Sequence, residues 1–194
     1  MLTGMPTSFA DFSAIQVGKR IAQGGAGTIF SLSSHPDFVL KKYHQDSDLK
    51  YYEQKVANML GNPPVIDPAS ILEFTWPLCS VKEKGDFVGY VMPSLGDKSY
   101  FTLSKFINKK ARQVNGLSEF LGHRITLAHN LSAILSKIHK LGYLVVDLKP
   151  QNCLVEKQSL KVTLIDTDGF FVPASGGVHF PAKQFTPEFI APEL

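Results

Sequence analysis

The sequence has little cysteine, no long apolar run and no obvious targeting segment. Its 194 residues contain two cysteines, Cys79 and Cys153, which lie in separate segments. We therefore expect reduced thiols and neither a disulfide framework nor a zinc site. No apolar stretch reaches the ~18 residues that a membrane span needs, and the first residues lack the basic start and apolar run of a signal peptide. These absences predict a cytoplasmic protein without a membrane partner.

A large charge of one sign is also missing. The net charge is +3 at pH 7, which is too small to predict nucleic-acid binding. Hydrophobic residues make up 44% and charged residues 19% of the chain, so we expect a globular protein with a packed core.

The most informative stretch is V-V-D-L-K-P-Q-N at Val145–Asn152. It follows an amphipathic helix and precedes an apolar strand that ends in Asp166. Because Asp166 follows Asn152 by 14 positions, a two-stranded hairpin would return both side chains to one edge. Together with Asp147 and Lys149, they form a set that suits Mg²⁺, nucleotide phosphates and a hydroxyl losing its proton.

These residues resemble the motifs of protein kinases. Asp147 and Asn152 match the catalytic loop D-x-x-x-x-N, and Asp166 matches the aspartate of D-F-G. The resemblance implies that Asp147 accepts or orients the proton of the attacking hydroxyl and that Lys149 neutralises charge on the transferred phosphoryl group. It implies ATP and Mg²⁺ as cofactors, with Asn152 and Asp166 as metal ligands.

The stretch Ile15–Leu32 predicts strand, glycine turn and strand. The turn G-G-A-G lets the backbone approach a phosphate closely. The family pattern G-x-G-x-x-G-x-V falls on Ala22, Gly24, Gly27 and Ile29, so alanine replaces the first glycine. A simple hairpin turn is the alternative for such a loop taken alone.

Lys41 lies where the family's V-A-I-K lysine is expected, in the predicted strand Phe38–Tyr43. Lys42 is the rival, but strand alternation puts Lys41 on the face of Val39. Glu53, in the predicted helix Asp48–Leu60, is the candidate glutamate partner of Lys41. The alternative for all three charged residues is a solvated surface position.

Two further strands are predicted at Leu72–Trp76 and Val88–Met92, on either side of a polar turn. The resemblance places Met92 at the back of the nucleotide pocket and gives the hinge backbone at Pro93–Leu95 to adenine. The full set of expected cofactor-binding residues is Ala22, Gly24, Gly25, Gly27, Ile29, Val39, Lys41, Met92, Leu95, Asn152 and Leu154.

The second half contains a basic stretch, Lys105–Arg112, which we interpret as a solvated face, and a predicted helix at Leu117–Leu141 with an apolar stripe. The final segment F-T-P-E-F-I-A-P-E-L is similar to the segment that cradles a protein substrate in protein kinases. There Thr186 would bond Asp147 and Lys149. A small-molecule kinase of the aminoglycoside or choline type is an alternative, because I-D-T-D is similar to that group's I-D-x-x-D.

Three departures from the family pattern are visible. Val145-Val146 replaces H-R, so no arginine beside Asp147 can receive a phosphate, and we predict that phosphorylation of Ser175 is not the on-switch. Thr167 replaces the phenylalanine of D-F-G, and Asp168 replaces its glycine. Asp168 could add a carboxylate to the metal site, but we expect it to be a loop residue that faces solvent.

The sequence thus predicts an α+β, two-lobe protein-kinase-like fold. We expect an N-terminal tail at 1–14, a lobe with an antiparallel sheet and one helix at 15–92, and a partial, mostly helical lobe at 93–194. The sequence stops just after A-P-E, so we expect a fragment of a longer protein rather than an unusually minimal kinase-like fold. Some apolar surface should then be exposed or covered by a second copy. The predicted function is ATP-dependent phosphorylation of serine or threonine in a protein, and the alternative is a nucleotide-binding pseudokinase or scaffold.

Overall fold

The computed structural model describes residues 15–64, 73–96 and 99–189, and of Ser175 the backbone alone. Within these residues the chain divides into two compact units. Unit 1 contains 15–63 and 76–94, and unit 2 contains 64, 73–75, 95–96 and 99–189. The predicted tail at 1–14 and the motif at 191–193 lie outside the described residues.

Unit 1 is built on a five-stranded antiparallel sheet with the strand order β1-β2-β3-β5-β4. Its strands alternate between two apolar layers, so that Val39 and Tyr43 face one side and Leu40 faces the other. The strands are β1 Val17–Gln23, β2 Gly27–Leu32, β3 Phe38–Tyr43, β4 Cys79–Glu83 and β5 Asp86–Pro93.

One helix, α1 Leu49–Gly61, covers the Val39 side of this sheet. Asp48 caps its N-terminus, since its Oδ1 accepts the Tyr51 N–H at 3.1 Å. Tyr52 and Val56 pack from the helix against the strands. The predicted helix at 48–60 is therefore confirmed.

The predicted strand at 72–76 is wrong in its described part. Phe74 makes only an isolated parallel bridge to Leu164, and the strand that pairs with β5 is β4 instead. A two-residue turn joins these strands, with φ of 54° at Lys84 and 95° at Gly85. Two positive φ angles suit a tight hairpin turn. The strand that precedes this turn therefore lies next to it in the sequence, and not at 72–76 as the apolar pattern indicated.

Unit 2 combines helices with two small antiparallel sheets. Its helices are α2 Leu103–Ile107, α3 Lys109–Val114 and α4 Leu121–Lys140. The first sheet has the order β6-β7-β8, and the second pairs β9 with β10. These strands are β6 Tyr100–Thr102, β7 Cys153–Glu156, β8 Val162–Leu164, β9 Val172–Pro173 and β10 His179–Phe180. The expected α+β class, with an antiparallel sheet and one helix in the first unit, is confirmed.

The helix α4 begins at Leu121, four residues later than the apolar pattern predicts. Arg112 explains the delay, because its guanidinium binds both carboxylate oxygens of Glu119 at 3.2 and 3.0 Å and the Leu117 N–H bonds the Arg112 carbonyl. These contacts hold the segment before α4 in a non-helical form. Arg112 is itself buried. The interpretation of the whole basic stretch as a solvated face is therefore wrong at this residue.

Only part of the predicted stripe on α4 is buried. Leu127, Ile134 and Ile138 lie in the core, whereas Leu121 is 59% exposed. None of the described helices combines the length and apolar character needed to cross a membrane.

Candidate active site

The loop that carries Asp147 is fixed at both ends within unit 2. Before it, Leu144 exchanges two backbone hydrogen bonds with Phe171, at 3.2 and 2.9 Å. After it, the Asn152 N–H donates to the Lys149 carbonyl at 2.9 Å. The loop therefore has a defined conformation from which its side chains project.

Three residues meet at the carboxylate of Asp147. The Thr186 N–H donates to Oδ1 at 2.9 Å, Asn152 Nδ2 donates to Oδ2 at 3.1 Å, and Lys149 Nζ lies 2.6 Å from Oδ2. Lys149 also donates to the Thr186 hydroxyl at 2.9 Å. The structure thus brings together Asp147, Lys149, Asn152 and Thr186, as the sequence pattern predicted.

The neighbouring groups determine the charge of Asp147. Partial burial opposes ionisation, but hydrogen bonds from Lys149 and Thr186 and the positive charge of Lys149 outweigh it. The pKa of Asp147 is therefore below its ordinary value, and the side chain is a carboxylate at neutral pH.

The hairpin of β7 and β8 brings the two predicted metal ligands to one edge of unit 2. Cys153 opposes Leu164, and the Ile165 N–H donates to the Asn152 carbonyl at 3.0 Å. Asp166 follows directly, with a φ of 61° that turns the chain out of the strand. This is the hairpin that the 14-position spacing predicted.

The donor atoms at this edge fit Mg²⁺. The Asn152 amide nitrogen donates twice to Asp147, at 3.0 Å to its carbonyl and 3.1 Å to its carboxylate. This orients the side chain, and its Oδ1 is the atom that would bind a cation. Asp166 supplies carboxylate oxygens, and oxygen is the ligand that this cation prefers.

The two residues after Asp166 are both buried. The Thr167 hydroxyl donates to the Thr75 carbonyl at 3.0 Å, inside unit 2. Asp168 is 2% exposed, so the expectation that it faces solvent is wrong. A short 3₁₀ turn at Thr167–Gly169 turns these side chains inward.

In unit 1 the glycine turn is stabilised by a hydrogen bond within its own backbone and by two side chains from outside the turn. The Gly24 N–H donates to the Gly27 carbonyl at 2.9 Å. His44 contacts the Gly25 carbonyl through Nδ1 at 3.2 Å, and the Ser47 hydroxyl donates to the Ala26 carbonyl at 3.1 Å. These contacts satisfy backbone carbonyl groups of the loop.

Gly27 is required for close packing. A Cβ added there would lie 2.6 Å from the Lys42 carbonyl oxygen. Nearby on the sheet, Ala22 lies opposite Ile29 and Val39 lies opposite Met92. These predicted nucleotide-binding residues are therefore brought together within one sheet.

Strand alternation separates the two candidate lysines of β3. Lys41 is 5% exposed and shares the layer of Val39 and Tyr43, and its Nζ lies 5.8 Å from the centre of the Tyr43 ring. Lys42 points to the other side and pairs with Glu83 at 3.0 Å. This arrangement agrees with the choice of Lys41, whose role toward phosphates stays a prediction.

The predicted partner of Lys41 is placed differently. Glu53 lies at the half-exposed edge of α1 and forms an ion pair with Lys82 at 2.9 Å. The helical residue turned into the core is Lys55, which is fully buried. The structure thus gives the interior of unit 1 a lysine from α1 where the sequence predicted a glutamate.

The remaining predicted residues belong to unit 2. Leu154 lies on β7 between Thr102 of β6 and Thr163 of β8. Leu95 is half-buried and precedes Gly96, which has a φ of 68°. Their contact with a nucleotide stays a prediction.

His44, Ser47 and Lys55 were missed by sequence reasoning. His44 and Ser47 act through contacts with loop carbonyls, for which no spacing rule exists. Lys55 could have been found, because it falls three positions after Tyr52 on the apolar face of the helix.

No protein-family model matches the chain. It is similar to Protein kinase YegI of Escherichia coli O157:H7, with 26% identity over 97% of this chain and 28% of the relative. It is equally similar to Protein kinase YegI of Escherichia coli strain K12, with 26% identity over 92% of this chain and 26% of the relative. The chain spans just over a quarter of the length of these curated relatives. The similarity, together with the fold, supports a kinase-like relationship.

Proposed function

We propose that the chain transfers the γ-phosphoryl group of ATP to a serine or threonine hydroxyl of a protein. The observation that supports this most directly is the contact of Asp147 with Lys149, Asn152 and Thr186. It joins an ionised carboxylate to a cation and to the segment that would lie beside the substrate.

The residues divide the reaction between them. Asp147 accepts the proton of the attacking hydroxyl as the new phosphorus–oxygen bond forms and ADP leaves. Lys149 compensates the charge on the transferred group. Lys41, with the glycine turn and the hinge, binds the nucleotide. Asn152 and Asp166 would hold Mg²⁺, which neutralises phosphate charge when bound.

A protein substrate is favoured over a small molecule by the segment around Thr186. Its backbone N–H and its hydroxyl both contact catalytic-loop residues. A segment held in this way can align an extended peptide beside Asp147.

A nucleotide-binding pseudokinase is the second candidate, and one observation favours it. Both carboxylate oxygens of Asp147 already accept hydrogen bonds from the chain, Oδ1 from Thr186 and Oδ2 from Asn152. If these bonds persist when a hydroxyl arrives, the carboxylate is a poor proton acceptor.

Transfer of radiolabelled phosphate from ATP to a generic protein substrate separates the two. We expect Asp147→Asn to lower the rate by a factor of about 100 or more without changing MgADP affinity. The control is Asp86→Asn, an exposed residue at the start of β5. Nucleotide binding without any transfer by the wild type would establish the pseudokinase instead.

A further inference from the structure

We propose that Thr167 is a positioning residue of the candidate metal site, because its hydrogen bond to the Thr75 carbonyl fixes the turn that presents Asp166 to Mg²⁺. This inference rests on the proposed function, in which Asp166 is a metal ligand, and it specifies how the chain holds that ligand in place. It also gives a task to one departure from D-F-G, since Thr167 stands where the family has phenylalanine.

The first support is the backbone conformation of Asp166. Its φ of 61° and ψ of 41° lie in the left-handed region, which aspartate tolerates better than most residues but still at a conformational cost. Two other described residues besides glycine have a positive φ, Lys84 and Leu160, and each lies in a turn between two paired strands. Asp166 lies instead between the end of β8 and a 3₁₀ turn. Its conformation therefore depends on how the chain is held on either side of it.

The second support is that one residue, Thr75, contacts the chain on both sides of Asp166. Before Asp166, the Leu164 carbonyl accepts the Thr75 N–H at 3.1 Å. After Asp166, the Thr167 hydroxyl donates to the Thr75 carbonyl at 3.0 Å. The two backbone groups of Thr75 thus fix the two ends of the short segment that carries the carboxylate.

The third support is the contrast in burial between this contact and the carboxylate beside it. Thr167 is 0% and Thr75 4% exposed, whereas Asp166 is exposed. A hydrogen bond away from water is electrostatically stronger than one in water, and its loss leaves a buried carbonyl without its donor. The fold therefore buries the anchor and leaves the ligand at the surface, where a cation can reach it.

Hydrogen bonds inside the turn shape it further. The Gly169 N–H donates to the Asp166 carbonyl at 2.9 Å, and the Phe170 N–H donates to the Thr167 carbonyl at 3.1 Å. These bonds join residues of the turn to each other. The Thr167 hydroxyl differs from them because it joins the turn to a segment 92 positions away in the sequence.

The same segment is also joined to the other candidate metal ligand. The Ile165 N–H donates to the Asn152 carbonyl at 3.0 Å, so Asp166 lies between a contact with Asn152 and the contact of Thr167 with Thr75. Mg²⁺ demands nearly ideal octahedral geometry from its ligands. A shift of the turn would move Asp166 relative to Asn152, and we infer that the Thr167 hydroxyl prevents this shift.

The alternative is that the bond from Thr167 stabilises the fold without any effect on the metal site. Thr75 offers a matched control for this alternative, because its own hydroxyl is buried and has no hydrogen-bond partner among the described residues. Valine at either position removes a buried hydroxyl and keeps the shape of the side chain. Thr167→Val loses a bond to the neighbouring segment, whereas Thr75→Val keeps the carbonyl that accepts it.

The test is the affinity for ADP, measured by calorimetric titration in the presence of Mg²⁺ and again with EDTA. The gain in affinity that Mg²⁺ gives reports on the metal site, and Asp166→Asn should reduce this gain most. Thr167→Val should reduce the gain about fivefold or more and change the affinity for metal-free ADP less than about twofold. Thr75→Val should leave the gain within about twofold of the wild type.

A second pair of variants keeps the test valid if Thr167→Val does not fold. Thr167→Ser and Thr167→Ala have side chains of similar size that differ in the hydroxyl. Thr167→Ser should retain most of the gain from Mg²⁺, and Thr167→Ala should lose it as Thr167→Val does. Each titration is made below the melting temperature of the variant.

Three results would overturn the inference. One is a lower melting temperature of Thr167→Val with an unchanged gain from Mg²⁺, which would show that the bond serves stability alone. The others are equal losses of ADP affinity with and without Mg²⁺, and equal losses of the gain in Thr167→Val and Thr75→Val. If the ADP affinity of the wild type does not respond to Mg²⁺, the proposed function itself loses its metal site, and the inference fails with it.

Discussion

The backbone N–H of Thr186 donates to Oδ1 of Asp147 at 2.9 Å, across 39 positions of sequence. Lys149 completes the contact, because its ammonium group bonds the Thr186 hydroxyl and the Asp147 carboxylate together. The segment around Thr186 is therefore tied to the loop of Asp147 by two hydrogen bonds within unit 2, each of which involves a charged group. This relationship can be tested by replacing the Thr186 hydroxyl with a methyl group.

Thr186→Val should reduce phosphoryl transfer mainly through kcat, because the hydroxyl that orients Lys149 is lost while the side-chain shape remains. Removal of a hydrogen bond to a charged group predicts a decrease of about tenfold or more. Thr186→Ser should restore most of the rate, since it restores the hydroxyl. An unchanged kcat in Thr186→Val, measured with saturating ATP and protein substrate, would contradict this role.

The lowered pKa of Asp147 predicts a pH-dependent contribution to stability. Despite the opposing effect of partial burial, bonds from Lys149 and Thr186 favour the carboxylate. Its stabilising effect is therefore complete above the ordinary carboxyl pKa of about 3.9 and is lost as pH falls through the lower folded value. The difference in free energy of unfolding between wild type and Asp147→Asn should be constant near neutral pH and shrink below about pH 4. Urea unfolding at several pH values measures it, and a difference that grows with acid would contradict it.

Much of this site could be predicted because its motifs are local. Asp147 and Asn152 lie in one loop, and the spacing from Asn152 to Asp166 fits the hairpin of β7 and β8. Alternation along β3 correctly separated buried Lys41 from Lys42. In each case a short-range rule determines where the side chain points.

The predictions that were wrong have a different origin. Glu53 is the acidic residue nearest the centre of α1, but the helix rotation that buries Tyr52 and Val56 puts Lys55 inside and Glu53 beside Lys82. The late start of α4 depends on Arg112 reaching Glu119, which local propensity does not encode. Tertiary contacts that override local patterns were therefore the part that the sequence could not supply.

Gly89→Ala should destabilise the protein strongly. An added Cβ would lie 2.0 Å from the Lys41 carbonyl oxygen in the neighbouring strand, so β3 and β5 would have to separate. We expect a loss of about 2–3 kcal/mol in the free energy of unfolding. The control is Gly61→Ala at the end of α1, where an added Cβ meets no atom within 4 Å. Equal stabilities of the two variants in urea unfolding would contradict the packing argument.

Arg112→Met should destabilise the fold by about 3 kcal/mol. The guanidinium donates to the carbonyls of Phe106 and Ile107 at 2.7 and 2.8 Å, as well as to Glu119. Methionine keeps the length of the side chain but leaves these acceptors without their donor. Lys110→Met, which alters an exposed residue of the same helix, should change stability by less than about 0.5 kcal/mol. Arg112→Lys should restore little, because an ammonium group cannot reproduce the forked geometry. Comparable losses in the two methionine variants would show that Arg112 is not specifically required.

Activity should not depend on phosphorylation of Ser175. Val146, not arginine, precedes Asp147, so the catalytic loop offers no guanidinium there to bind a phosphate. The bonds from Thr186 to Asp147 hold the segment without one. We therefore expect Ser175→Ala and Ser175→Glu to transfer phosphate at rates within about twofold of the wild type, whereas Thr186→Val should be impaired. The rates are compared after phosphatase treatment, which removes any phosphate added during expression. A large loss in Ser175→Ala that Ser175→Glu restores would show that a negative charge at this position is the on-switch.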